Sequence, residues 1–209
     1  MSSIRLGLLA CLFILPLSGK AQDMFTDLSG YVQASGGIFN SNAQWYSKTY
    51  DDRILFDPSV TIGTGTTDWT VFLRYRQVGA KGRTDGTYYS YPKGPASLVR
   101  EELYLGIQTG SILDGPFFIE MAYIQLYSQN RITEDISKQV FTERVNGKGI
   151  STGFGLMFPF ENKRFILISQ LSYNFILTSN AMNPEIGNPD FNAFHLDFGL
   201  KYEFPIGGF

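Results

Sequence analysis

From Phe194 to Phe204 the chain alternates without a break: Phe194, Leu196, Phe198, Leu200, Tyr202 and Phe204 are large and apolar, while His195, Asp197, Gly199, Lys201 and Glu203 are polar or small. A period of two places these sets on opposite faces of a β-strand; on a helix each set would be smeared around the axis. The rhythm returns in Trp69, Val71, Leu73 and Tyr75 against Thr70, Arg74 and Arg76, and in Leu103, Leu105 and Ile107 against Arg100, Glu102, Tyr104 and Gln108. Segments near 28–39, 54–65, 116–127, 149–160 and 165–178 bring the expected strands to eight. Two are irregular. Ser169 falls on the apolar face of the seventh, and Ile124 and Leu126 blur the fifth, for which a bulge or a poorly defined outer end is the expected cause.

The connections alternate in length. Strands two and three meet across Thr66-Thr67-Asp68, four and five across about 111–115, and six and seven across Glu161-Asn162-Lys163-Arg164. The other four, near 40–53, 80–97, 129–148 and 179–191, are longer and rich in Gly, Asn, Ser, Tyr and charge. Tight turns at one end and long loops at the other suit an eight-stranded antiparallel up-and-down transmembrane β-barrel with both termini in the periplasm.

Alternation alone leaves open which face points outward, and a soluble lipocalin-like barrel is the structural competitor. An eight-stranded barrel has an interior that side chains just fill. The apolar faces carry several large residues per strand and look too bulky for it. The opposite faces mix Gly63, Gly153, Gly155 and Gly199 with Ser59, Thr61, Ser151, Gln170, Ser172 and Asn174. They also carry Arg74, Arg76, Arg100 and Lys201 against Glu102, Glu120, Asp197 and Glu203, four of each sign. Buried charge is tolerable when paired, so this set is expected to form a luminal network. Trp69, Phe117, Phe158, Phe160, Phe165, Tyr202 and Phe204 fall near the turn ends, and Tyr75, Tyr123, Tyr173 and Phe194 toward the other rim, the arrangement of two aromatic girdles.

The start of the chain reads as an export signal: Arg5, an apolar run from Leu6 to Leu17, and Ser18-Gly19-Lys20-Ala21 as exit. Residues 1–21 are therefore assigned to the signal peptide and 22–209 to one barrel domain. A lipobox-like Leu8-Leu9-Ala10-Cys11 sits in mid-run, where cleavage would leave half the apolar segment on the product. Cys11 is the sole cysteine, so the mature chain has neither a disulfide nor a cysteine metal site. Loss of Arg5 and Lys20 lowers the basic count from 17 to 15 against 19 acids, a balance that does not suit nucleic acid.

Taken together, the chain resembles the small outer-membrane barrels of the OmpA transmembrane-domain and OmpX type over its whole mature length. Asp197-Phe198-Gly199-Leu200-Lys201-Tyr202-Glu203-Phe204 resembles their C-terminal β-signal, polar-x-Gly-x-x-hydrophobic-x-hydrophobic. The resemblance implies an outer-membrane location, lipid contact, and reading of Gly199, Tyr202 and Phe204 by the barrel-assembly machinery. Those barrels usually end on the final aromatic, whereas Pro205-Ile206-Gly207-Gly208-Phe209 follows here; the broken alternation before Phe209 favours Phe204 as the end. The Lys-Ala-Gln exit is similar to that of many Bacteroidetes envelope proteins.

Function is less legible. Tyr88, Tyr89 and Tyr91, set among Gly, Ser and Lys, give the 80–97 loop the composition of a contact surface. His195, with Asp197 two residues on and Ser172 expected on the neighbouring strand, is the one constellation that a lipid-modifying enzyme would use, but its register sends it inward, away from lipid. Asp51-Asp52 and Glu134-Asp135 lack the spacing of a calcium loop. No catalytic, cofactor or metal residue is assigned. The expected role is that of a non-enzymatic, monomeric barrel with a filled lumen, serving envelope integrity or surface contact, with an envelope protein as a candidate partner. A small channel lined by the luminal charges, a component of a secretion or assembly complex, a lipid-A-modifying enzyme and the soluble barrel are the alternatives.

Overall fold

The computed structural model describes residues 28–206 apart from 42–45, 47–48, 51–54, 67, 87–90, 111–114, 162–163 and 180–190. The signal peptide, Tyr88, Tyr89, Asp51-Asp52 and Phe209 lie outside the described residues.

Nine strand segments follow one another: β1 Ser29–Ser41, β2 Leu55–Phe56, β3 Ser59–Gly65, β4 Trp69–Thr84, β5 Gly94–Thr109, β6 Phe117–Thr133, β7 Val140–Pro159, β8 Phe165–Ser179 and β9 Ala193–Pro205. They form eight staves, because β2 and β3 pair with β1 in a single register, Ile38 opposite Phe56 and Ser35 opposite Ser59. Between them Pro58 has no N–H to give the ladder, yet the Asp57 N–H still donates to the Gly37 carbonyl at 3.2 Å. Every neighbouring pair is antiparallel, and β1 closes on β9 from Ser29 opposite Pro205 to Ser41 opposite Ala193. Closure leaves no open edge for another strand to pair with.

The alternation sorts side chains as a membrane barrel requires. Val60, Ile62, Leu73, Leu105, Ile107, Ile119, Met121, Phe154, Leu171 and Phe198 face outward and are exposed. In water such a continuous belt would be a severe liability; against lipid it is the required surface. At the turn end Phe165 stacks with Tyr202 at 5.0 Å between ring centres. At the other rim Tyr173 meets Phe194 at 4.3 Å. Ser169 stays on this outer face, opposite Phe198.

Three sequence expectations change. β6 is regular along its length, and Ile124 and Leu126 simply point inward, fully buried. The register shift lies instead in β8, where Lys148 and Gly149 of β7 pair with Thr178 and Ile176 and pass over Leu177. The loops expected at 80–97 and 129–148 are mostly strand: β4 pairs with β5 out to Thr84 and Gly94, and β6 with β7 out to Thr133 and Val140. Both faces are mixed in these extensions, so no apolar stripe marks them, but a backbone ladder needs none. Third, large aromatics beyond the expected Tyr104 enter the lumen. Tyr31, Phe72 and Phe118 point inward, and each has a glycine across the strand pair: Gly63 beside Tyr31 and Phe72, Gly106 beside Phe72, Gly155 beside Phe118. A Cβ at Gly155 would lie 2.4 Å from the Phe118 ring, and one at Gly63 2.4 Å from that of Tyr31. The missing side chain is what makes room for the ring.

Candidate functional site

Strand parity delivers the inward residues and barrel closure brings them together. Arg74 on β4 spans the lumen to Glu120 on β6, with two parallel N–H···O bonds of 2.7 Å each. Its Nε donates to Thr61 Oγ1 at 3.0 Å, and Gln170 Nε2 donates to Glu120 Oε1 at 2.8 Å, so the pair is tied to β3 and β8. The fork geometry suits guanidinium and carboxylate, and both partners are nearly solvent-free.

A second, denser layer lies toward the loop end. Arg76 bonds Asp197, sits 3.6 Å from Asp57 and donates to the Tyr104 hydroxyl at 3.3 Å. Arg100 holds Glu102, two residues along the same strand face, through Nε at 2.8 Å and Nη2 at 2.5 Å. Glu102 also accepts from the Tyr104 hydroxyl and from Asn174 Nδ2 at 3.2 Å. Lys201 pairs with Glu203 at 2.6 Å near the turn end, its ammonium 4.2 Å from the Tyr31 ring centre. Thus the eight charged side chains of the alternation fall into four ion pairs: Arg74 with Glu120, Arg76 with Asp197, Arg100 with Glu102, and Lys201 with Glu203.

Asp57 is the member that sequence reasoning missed. It shares inward parity with Ser59 and Thr61 within the expected strand 54–65, and it is fully buried. His195 Nδ1 lies 2.6 Å from Asp57 Oδ2, and His195 Nε2 lies 3.0 Å from Asn174 Nδ2 and 3.6 Å from Glu102. In this layer two guanidinium groups, Arg76 and Arg100, face three carboxylates, Asp57, Glu102 and Asp197, all less than 3% exposed. Gly37 makes the crowding possible, since a Cβ there would stand 2.6 Å from Asp197 Oδ1 and 2.9 Å from Asp57 Oδ1.

The arrangement does not assemble a nucleophile. Ser172 is opposite His195 in the ladder, but its Oγ has no hydrogen-bond partner, and the imidazole is fully buried and turned to Asp57 and Asn174. No group of three or more His, Cys, Asp or Glu with metal-binding geometry occurs among the described residues.

Beyond the charged layer the lumen turns apolar. Phe39, Val78, Ala80, Leu98, Leu126, Ile132, Val145 and Phe191 pack with Tyr46 and Tyr50 from the connection after β1. Tyr50 bridges to Gly82 of β4, where a Cβ would lie 2.2 Å from the Thr49 carbonyl oxygen, and its hydroxyl donates to Asn130 Oδ1 at 2.6 Å. Tyr46, Thr49 and Tyr50 therefore lie buried in the mouth. Tyr91 also leans on the apolar cluster and donates to Glu143, which draws it inward. At the turn end an open recess of about 520 Å³ lies between Thr70, Gln108, Met157, Ile166 and Lys201.

The C-terminal strand places Gly199 inward, its absent Cβ 2.3 Å from Ser35 Oγ, and Tyr202 outward beside Phe165. Phe204 faces outward and covers Gly30 of β1, one pair before the ladder ends at Pro205.

No family model matches the chain. No curated protein matches it either. Solved structures do. Neisserial surface protein A superposes with a TM-score of 0.51 at 15% identity, covering 84% of this chain and 97% of that one. OprG of Pseudomonas aeruginosa gives 0.53 at 11%, covering 85% and 96%. Ail of Yersinia pestis, solved in complex with the heparin analogue sucrose octasulfate, gives 0.51 at 11%, covering 85% and 97%. The fold is that of the small eight-stranded outer-membrane β-barrels.

Proposed function

We propose that the chain is exported by its N-terminal signal, inserts in the outer membrane as a non-enzymatic barrel with a sealed lumen, and acts at the surface through its two tall hairpins, β4–β5 and β6–β7. One observation carries this reading. The lumen is crossed first by ion-paired layers and then by an apolar cluster, so an ion entering from either side meets desolvation without an open ring of charge to compensate it. A sealed barrel contributes through what it displays, and here the display is strand-stiffened wall more than loose loop.

The turn end then faces the periplasm, and the β-signal residues Gly199, Tyr202 and Phe204 guide assembly. Tyr88 and Tyr89, which lie in sequence between β4 and β5, are assigned to surface contact. His195 serves the luminal network.

Planar-bilayer recording of the purified protein tests the sealed lumen: a silent bilayer is expected, and steady unitary currents would replace this reading with a channel. Mass spectrometry of lipid A from cells carrying wild type or His195→Ala is expected to show the same acylation pattern, and a difference would restore the enzyme. Unboiled samples are expected to migrate faster than boiled ones on gels.

A further inference from the structure

Inside the lumen, the carboxylates of Asp57 and Asp197 lean toward each other across Gly37. Asp197 is opposite Gly37 in the β1–β9 ladder, and on the other side Asp57 donates its N–H to the Gly37 carbonyl. Their backbones are therefore two strand spacings apart, about 10 Å, with no side chain between them. A Cβ on Gly37 would lie 2.6 Å from Asp197 Oδ1 and 2.9 Å from Asp57 Oδ1, so both oxygens converge on one point. Neither oxygen has a hydrogen-bond partner among the described residues, although Asp57 is 0% and Asp197 2% exposed.

The donors of the layer are spent on the other oxygens. Arg76 bonds Asp197 through Oδ2 and stands 3.6 Å from Asp57 Oδ2, which His195 Nδ1 also approaches at 2.6 Å. His195 Nε2 faces Asn174 Nδ2 at 3.0 Å, an amide nitrogen that donates to the Tyr104 hydroxyl at 2.7 Å, while Glu102 stands off at 3.6 Å. With a donor opposite it Nε2 is the acceptor, so the imidazole is the neutral Nδ1–H tautomer. Arg76 and Arg100 then stand against Asp57, Glu102 and Asp197, one negative charge in excess, whereas the pairs Arg74–Glu120 and Lys201–Glu203 are balanced in themselves. Asn174 Oδ1 is a third buried oxygen without a donor among the described residues. The layer is thus short of one positive charge and of partners for oxygen.

We propose that Asp57 Oδ1 and Asp197 Oδ1 together bind one monovalent metal cation of the alkali class, seated over Gly37. The donor set selects the class, because carboxylate oxygens suit hard cations and no thiolate or free imidazole nitrogen is at hand. Charge selects the valence. One positive charge neutralises the layer, whereas a divalent ion would leave a net positive charge at a depth where unpaired charge is costly. The apolar cluster lies between this layer and the loop end, so the cation is taken up as the barrel closes and serves the fold of the lumen. It is separate from the surface role of the hairpins.

The test is urea unfolding of the full mature chain from zwitterionic vesicles at fixed pH and ionic strength, with sodium exchanged stepwise for tetramethylammonium. For one bound ion the folded-to-unfolded ratio is expected to rise about tenfold for each tenfold rise in sodium once the site is mostly filled. Asp57→Asn keeps an acceptor for His195 and turns an amide toward Asp197, and it is expected to abolish that dependence. Glu101→Gln removes an acid from the outer wall and is expected to respond to sodium as wild type does. Crystals of wild type soaked in thallium(I), an electron-dense stand-in for an alkali ion, are expected to show an anomalous peak between the two carboxylates. That readout needs no variant to fold. A ratio indifferent to sodium, the outcome if a shared proton or a water fills the role, would overturn the proposal. So would an unchanged sodium dependence in Asp57→Asn, a stronger response to calcium than to sodium, or the absence of thallium from this point.

Discussion

The middle of the lumen and its loop end are filled by opposite chemistries. In the middle, guanidinium, carboxylate, imidazole and amide groups hold one another across the barrel; toward the loops, Phe39, Leu126, Ile132 and Val145 pack with Tyr46 and Tyr50. The difference teaches where tolerance lies. An apolar cluster loses energy in proportion to the volume removed, and a volume-conserving exchange costs little. A buried ionic layer is all or nothing, since deletion of one partner strands the other.

The largest expected effect is therefore Arg76→Leu. It leaves Asp57, Glu102 and Asp197 with Arg100 as the layer's sole guanidinium, and a loss of about 3–5 kcal/mol is expected in urea unfolding from lipid vesicles. An effect below about 1 kcal/mol would mean that water reaches the layer. In the apolar half, Leu126→Ala is expected to cost about 3 kcal/mol, while Leu126→Met stays within about 1.5 kcal/mol; equal losses for both would show that this half is as exacting as the other. Gly155→Ala probes the aromatic-over-glycine packing and is expected to cost about 1–3 kcal/mol by displacing Phe118, with Phe118→Leu in the same chain recovering part of it. The smallest net change sharpens the comparison most. Arg74→Met with Glu120→Leu removes a whole ion pair, and the double variant is expected to unfold nearer to wild type than either single variant does. If the singles add, the pair is not acting as a unit.

Much of this was legible in the chain. The period of two told the outward residues from the inward ones, and the tight links 66–68 and 161–164 marked one end of the barrel. The pairings of Arg100 with Glu102 and of Lys201 with Glu203 are nearly local, each two residues apart on one strand face. The other luminal contacts were not legible as pairs. Arg74 and Glu120 are separated by 46 positions and Arg76 and Asp197 by 121, and which of several inward cations meets which acid depends on how the sheet is staggered when it closes. Asp57 was overlooked although it lies inside the expected strand 54–65, through which the ladder runs in unbroken register. The apolar mouth was misread as irregularity in one strand, because a change from polar to apolar along the same inward face mimics a slip of register.

By itself, then, the sequence determined strand, face and order, since these depend on the alternation of side chains along a pleated backbone and on the length of each connection. Tertiary structure alone decided the distant partners: Arg74 with Glu120, Arg76 with Asp197, the Asp57–His195 contact, the glycines that make room for rings, and Tyr46 and Tyr50 in the mouth. Those contacts join residues from strands distant in sequence, and nothing short of closing the barrel brings their side chains within a few ångströms.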